Sequence, residues 1–114
     1  MSVYLMQLDF KTDGPFKVLM TQSFRELAED IAQQEGLLWK IWTENEDEKR
    51  AGGWYAFESH TALMSYKDMH AQRLENFGIT DIRCQIFEAN VPLSAITHFP
   101  ETLISQKKCS GNDY

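Results

Sequence analysis

Residues 36–58 read G-L-L-W-K-I-W-T-E-N-E-D-E-K-R-A-G-G-W-Y-A-F-E, two aromatic-rich runs on either side of one charged segment. All three tryptophans of the chain, Trp39, Trp42 and Trp54, lie here. Two strand-like runs joined by a short polar loop form an antiparallel hairpin. Helical patterns flank it. From Pro15 to about Gln34, the apolar residues Phe16, Met20, Phe24, Leu27 and Ile31 share one helical face, with Pro15 at the first helical position. After a cap at Ser59 or Thr61, Leu63, Tyr66, His70, Leu74 and Phe77 form a second inward stripe. Each helix is closed by a glycine in the left-handed position and then an apolar residue, Gly36-Leu37 and Gly78-Ile79. Alternating runs at Val3 to Phe10 and Thr80 to Ala89 supply the outer strands. The order βαββαβ predicts an α+β, ferredoxin-like fold, an antiparallel four-stranded sheet with both helices on one face.

The alternation also divides the side chains between the two faces of the sheet. On strict alternation Trp39 and Tyr55 point to the helix side, while Leu38, Lys40 and Trp42 point away from it. The side without helices then carries Val3, Leu5, Leu38, Trp42 and Phe87 beside Gln7, Lys40, Arg83 and Gln85. A sheet face left in water is polar at most positions, and this one is too apolar for that. A second copy of the same sheet covers it economically, so the pattern predicts a homodimer with Leu38, Lys40, Trp42, Arg83 and Phe87 at the interface. Asp9, Glu58 or Glu88 can partner the buried positive charges. The Ala51-Gly52-Gly53 run at the start of the third strand suggests a bulge or a close backbone approach.

With 114 residues the chain is expected to form one domain, residues 1–97, followed by a partly disordered tail, residues 98–114. The segment ahead of that tail, Val91 to Ile96, is expected to serve as an arm on a partner subunit. A formal net charge of −6 repels a phosphate backbone, and the absence of a basic stripe argues against nucleic acid as a partner. No apolar run reaches the ~20 residues of a membrane span. The N-terminus lacks a basic, apolar leader, so a cytoplasmic location is expected. Cys84 and Cys109 have no metal-ligand spacing, and a disulfide between them is not expected in that compartment. Glu44, Glu46, Asp47 and Glu48 lack the glycine of a calcium loop and read as a solvated turn. There is no phosphate-binding glycine loop, zinc cluster or nucleophile elbow, so no metal or cofactor is expected.

His70 is the most suggestive single residue. It sits mid-stripe on the second helix, aimed at the sheet, where an imidazole either works as an acid or base or is a core histidine with one satisfied hydrogen bond. Trp39, Tyr55 and Phe24 can meet it around one space. Aromatic walls with few polar groups describe both a pocket for a flat organic ligand and a well-packed core. Arg73, at the edge of the same helix face, either binds an anionic group or pairs at the surface.

Five segments together carry a resemblance: G-L-L-W-K-I-W-T-E-N-E at Gly36 to Glu46, A-G-G-W-Y-A-F at Ala51 to Phe57, H-A-Q-R-L at His70 to Leu74, L-D-F…G-P-F at Leu8 to Phe16, and N-V-P-L-S-A-I at Asn90 to Ile96. In these the chain resembles the YdhR-type mono-oxygenase family of the dimeric α+β barrel superfamily, up to about Thr97. The chain departs from the family pattern at Glu35, where a proline is expected before the glycine, and in its extra tail. The resemblance implies two ferredoxin-like subunits packed sheet to sheet. It also implies oxidation of a small aromatic, phenol- or anthrone-like, with oxygen and without metal, flavin or haem. His70 would be the catalytic base, and Trp39, Tyr55 and Phe24 would position the rings. A non-catalytic binding module for a hydrophobic metabolite and a lactone isomerase-like enzyme are the alternative readings.

Overall fold

The structure, a computed structural model, describes residues 2–100. Its elements run β1 (Tyr4–Lys11), α1 (Lys17–Ser23), α2 (Arg25–Ala32), β2 (Leu37–Asn45), β3 (Arg50–Phe57), α3 (His60–Asn76), β4 (Arg83–Glu88) and α4 (Val91–Ile96). The four strands form one antiparallel sheet in the order β2-β3-β1-β4. This is the ferredoxin-like arrangement, with the chain's first and third strands at the centre. Of the tail expected to be partly disordered, residues 98–114, only 98–100 are among the described residues, where Phe99 N donates to Ser94 O at 2.8 Å; the rest, with Cys109, lies outside them.

The first helix differs from the sequence expectation. It begins at Lys17 rather than Pro15 and is divided at Phe24, whose backbone (φ −107°, ψ 13°) leaves the helical range. Hydrogen bonds from Phe24 N to Met20 O (3.0 Å) and from Ala28 N to Phe24 O (2.9 Å) carry the chain through the break. Gly36 has the expected positive φ of 80° but stands in the turn after α2 rather than directly at its end.

The second helix follows its local code more closely. The Ser59 hydroxyl accepts from Ala62 N at 3.1 Å, a side-chain N-cap. At the other end Gly78 (φ 79°) adopts the left-handed conformation. Gly78 N donates to Glu75 O at 2.9 Å and Ile79 N donates to Leu74 O at 3.0 Å. Those two bonds are the Schellman closure that a glycine followed by an apolar residue promotes.

The main core lies between the sheet and α2 and α3. Met6, Leu8, Tyr55 and Phe57 from the sheet meet Ile31 of α2 and Leu63, Tyr66 and Leu74 of α3. On the opposite face Val3 and Ala56 are fully buried beneath Leu5, Leu38, Trp39, Val91 and Phe99. The segment around α4, expected to reach a partner, therefore packs on its own sheet. Beyond its cover Ile41, Trp54 and Phe87 remain exposed, the last two stacked at 6.2 Å.

One irregularity reorganises the hairpin. β2 pairs with β3 in a register that places Leu37 opposite Phe57, Trp39 opposite Ala56 and Lys40 opposite Tyr55, with a shift between Leu37 and Trp39. Leu38 is the extra residue of a β-bulge. Because side chains alternate with a period of two, one inserted residue moves everything after it to the other face. Leu37 keeps its expected side. Trp39 does not: it packs with Val3 and Ala56 away from the helices. Trp42 instead joins the core between sheet and helices. The expected assignments of Trp39 to the helix side and of Lys40 and Trp42 to the opposite side are thus both reversed.

Candidate active site

Between the sheet and the helices lies a cavity of about 320 Å³. That is at the lower end of the roughly 300–1,000 Å³ typical of small-molecule sites. One wall is the pair Phe24 and Trp42, stacked with ring centroids 6.2 Å apart. The other is built from Tyr55 and His70, 6.3 Å apart, with Tyr66 behind them stacked on His70 at 5.0 Å. Phe10, Met20, Leu27 and Leu74 supply further apolar lining, and Phe77 stands at the rim, largely exposed. No carboxylate lines the space. Its ionisable groups are Tyr55, Lys40, His70 and Arg73.

Lys40 enters this space because of the bulge. Its Nζ lies 3.3 Å from a Trp42 ring centroid and 4.6 Å from the Tyr55 ring centroid. Ring faces attract the ammonium form, but burial, and then the charge on Arg73, pull the pKa down to about 7. Among the described residues no carboxylate pairs with it. Gly53 makes room for the stem. A Cβ there would come within 2.7 Å of Lys40 Cε and within 2.7 Å of the Ile41 carbonyl oxygen. This is the close approach that the paired glycines implied.

His70 is 3% exposed, and its Nδ1 lies 3.2 Å from a terminal nitrogen of Arg73. A guanidinium can only donate, so Nδ1 accepts and the neutral ring carries its proton on Nε2. Burial pushes the imidazole pKa down to about 4, with the charges of Lys40 and Arg73 adding to the effect. Arg73 in turn holds Asp30 of α2 at 3.0 Å, fixing the guanidinium across the gap between α2 and α3. Its Nε is buried without a partner. Burial raises both phenols, Tyr66 to about 12 and Tyr55 further, so both are neutral donors in the physiological range.

A family model described as "Putative mono-oxygenase ydhR" matches residues 5–100. The chain belongs to this family. No curated protein matches it. Among solved structures, the chain is similar to a structural-genomics protein called YJCS, at 16% identity and a TM-score of 0.54, covering 79% of this chain and 98% of that one. It also aligns with a protein from Deinococcus radiodurans described as a "putative antibiotic biosynthesis monooxygenase", at 16% identity and a TM-score of 0.47, over 79% of this chain and 93% of that one. At such identities the first likeness speaks to the fold alone, and the second carries no argument.

In this family member, Phe24, Tyr55, His70 and Arg73 all reach the cavity. Trp39 does not; its indole lies on the far side of the sheet with Nε1 buried and unpartnered. Lys40 and Trp42, expected at a subunit interface, line the cavity instead. The clue in the sequence was Leu37-Leu38-Trp39, three apolar residues in succession where alternation would skip one. Arg83, Phe87 and Leu38 do lie on the face without helices. There Asp9 serves as the counter-ion: Arg83 Nε donates to its Oδ1 at 2.9 Å, Arg50 Nε to the same oxygen at 2.8 Å and Gln7 Nε2 to Oδ2 at 2.8 Å. Burial alone would raise the Asp9 pKa, but these bonds outweigh it and hold the carboxyl below its ordinary value. No group of His, Cys, Asp and Glu side chains among the described residues could hold a metal ion. No helix there is long and apolar enough to cross a membrane.

Proposed function

We propose that this chain is a mono-oxygenase of small planar aromatic molecules, phenol- or anthrone-like, bound in the cavity between sheet and helices. The observation that carries the reading is the cavity's make-up: stacked aromatic walls with Lys40, His70 and Arg73 as its cationic or proton-donating heads and no carboxylate. Apolar walls exclude water and orient flat rings, while convergent donors favour an oxygen atom gaining negative charge. Family membership supports oxygen as the co-substrate.

In this reading the ionised substrate itself reduces oxygen, so no metal, flavin or haem takes part. It gives one electron to O2, the two radicals combine at carbon, the peroxide anion takes back the proton the substrate gave up on ionising, and the hydroperoxide loses water to leave a carbonyl. For an anthrone the balance is one CH2 group and one O2 giving one C=O and one water. His70, whose Nδ1 accepts from Arg73, presents Nε2–H and acts as a donor to the substrate oxygen or the peroxide rather than as the proton acceptor. Phe24, Trp42 and Tyr55 hold the rings.

The test is oxygen uptake by cofactor-free protein with a panel of phenols and anthrones. Substrate-dependent uptake that drops ~10- to 100-fold in His70→Ala is expected. Tight binding with no uptake by any member would replace this reading with a binding module. Turnover that persists without oxygen would replace it with an isomerase.

The biological unit in this reading is a homodimer closed sheet to sheet. Exposed Ile41, Trp54 and Phe87, with Leu38 and Arg83 on the same face of the sheet, support it. In the same reading the protein works in the cytoplasm.

A further inference from the structure

The cavity contains a lysine with nothing to neutralise it. Lys40 Nζ is surrounded by the faces of Trp42 and Tyr55, and no acidic side chain lines the space. The groups that face it can be enumerated by element. From β1 there is Phe10 and from β2 Trp42, both uncharged; from β3 there is Tyr55, a neutral phenol; from α3 there are His70, neutral, and Arg73, cationic; α1, α2 and the Phe24 between them contribute Met20, Leu27 and a phenyl ring, which carry no charge. Asp30 of α2 is already bound to Arg73 at 3.0 Å. Two further donors lie unused beside the cavity, since Arg73 Nε is buried without a partner and His70 Nε2 holds a proton. A half-buried lysine with no carboxylate beside it, next to a buried guanidinium N–H without a partner, implies that an acceptor arrives with the ligand.

We propose that the cavity takes its aromatic ligand as an oxyanion, with Lys40 accepting the acidic proton of a phenolic or enolic hydroxyl and then standing as its counter-ion. The identification of that ligand as a substrate rests on the mono-oxygenase reading; the anion site does not. The step moves one proton. The O–H bond of the ligand breaks, its electron pair stays on oxygen, and the neutral amine of Lys40 becomes an ammonium held against the Trp42 ring. His70 is unsuited to this step, because its one free lone pair is engaged by Arg73 and its other nitrogen is already protonated. Lys40 is suited to it, since burial brings its ionisation to about pH 7, within reach of an acidic phenol. An apolar wall also raises the strength of the resulting ion pair, because little water competes for either charge.

The ligand class follows from this chemistry. It has a planar aromatic body of modest size and one hydroxyl acidic enough to ionise near neutrality, whereas an amine or a cationic aromatic would meet Lys40 and Arg73 with like charge.

The probe is 4-nitrophenol, bound to the full-length protein at about pH 8, roughly one unit above the Lys40 transition. Free probe is then mostly anionic and Lys40 mostly neutral, so formation of the ion pair must draw a proton from solution. Calorimetry in two buffers of different ionisation enthalpy measures that proton. The wild-type protein is expected to take up close to one proton per bound probe. Lys40→Met is expected to bind the anion at least ~10-fold more weakly and to take up none. Lys40→Arg keeps the charge but has no neutral form, and is expected to bind the anion without proton uptake. Absence of binding by the wild type, binding without proton uptake, or equal uptake in Lys40→Met each overturns the proposal. Oxygen consumption plays no part in the measurement. A protein that binds with proton uptake but never consumes oxygen loses the oxygenase reading and keeps the anion site.

Discussion

At the scale of the residue, His70 illustrates how burial and one hydrogen bond decide what a side chain can do. An imidazole at ordinary pKa would be a natural base, but the structure holds this one neutral and occupies its basic nitrogen. The same environment makes it a liability in acid. Its folded pKa of about 4 lies below the unfolded value of 6.5, so the unfolded chain binds the extra proton first. Its neutral form is therefore tolerated fully above pH 6.5, and stability falls as the pH drops from 6.5 towards 4. The loss at pH 5 is on the order of 2 kcal/mol. Thermal melts at pH 7 and pH 5 are expected to separate more for the wild type than for His70→Gln, which has no proton to gain. Lys40 acts in the same direction at higher pH. Between about pH 7 and its ordinary value of 10.5 the unfolded chain binds the extra proton, so stability rises with pH through that window.

At the scale of the element, the strand β2 serves both faces of the sheet because of one extra residue. Up to Leu37 the alternation read from the sequence holds, and after Leu38 it is inverted. Trp42 therefore stacks on Phe24 in the cavity wall, and Trp39 lies against Ala56 on the opposite side. The consequence is measurable with the nitrophenol probe and an independent measure of assembly. Trp42→Ala is expected to weaken probe binding by ~10-fold or more while leaving the oligomeric state unchanged. Trp39→Ala is expected to leave the affinity within ~2-fold and to perturb assembly. The opposite pattern would mean that the strand is in simple alternation. The helix ends contrast with this strand. Ser59 and the Gly78-Ile79 pair act through their own backbone neighbourhood, which is why they were legible without the fold.

At the scale of the whole molecule, the sheet has one side finished and one side partly finished. α2 and α3 cover the first, and the segment around α4 covers a patch of the second, burying Val3 and Ala56. The rest of that second side retains a stacked Trp54–Phe87 pair and Ile41. With the proposed dimer, light scattering at micromolar concentration is expected to give twice the 13.2 kDa chain mass, and Phe87→Asp to reduce it to the monomer. A wild-type monomer would remove the dimer from the reading. Cavity and open face use opposite sides of the same strands, so assembly and ligand binding are separable by mutation.

By itself the sequence determined the order of the elements and the antiparallel ferredoxin-like sheet, narrowed the N-cap of α3 to Ser59 or Thr61, marked Gly78-Ile79 at its end, and offered Phe24, Tyr55, His70 and Arg73, which all line the cavity, as pocket candidates beside a packed-core reading. These follow from helical periodicity and from residues whose effect is local, and neither depends on distant contacts. Only the tertiary structure decided which side of the sheet Trp39, Lys40 and Trp42 occupy, because strand alternation has a period of two and a single bulge, fixed by pairing with β3, reverses it. It alone decided that the lysine of the hairpin is a half-buried group lining the cavity without a counter-ion, since burial and pairing belong to the assembled sheet and helices rather than to the residues of one strand.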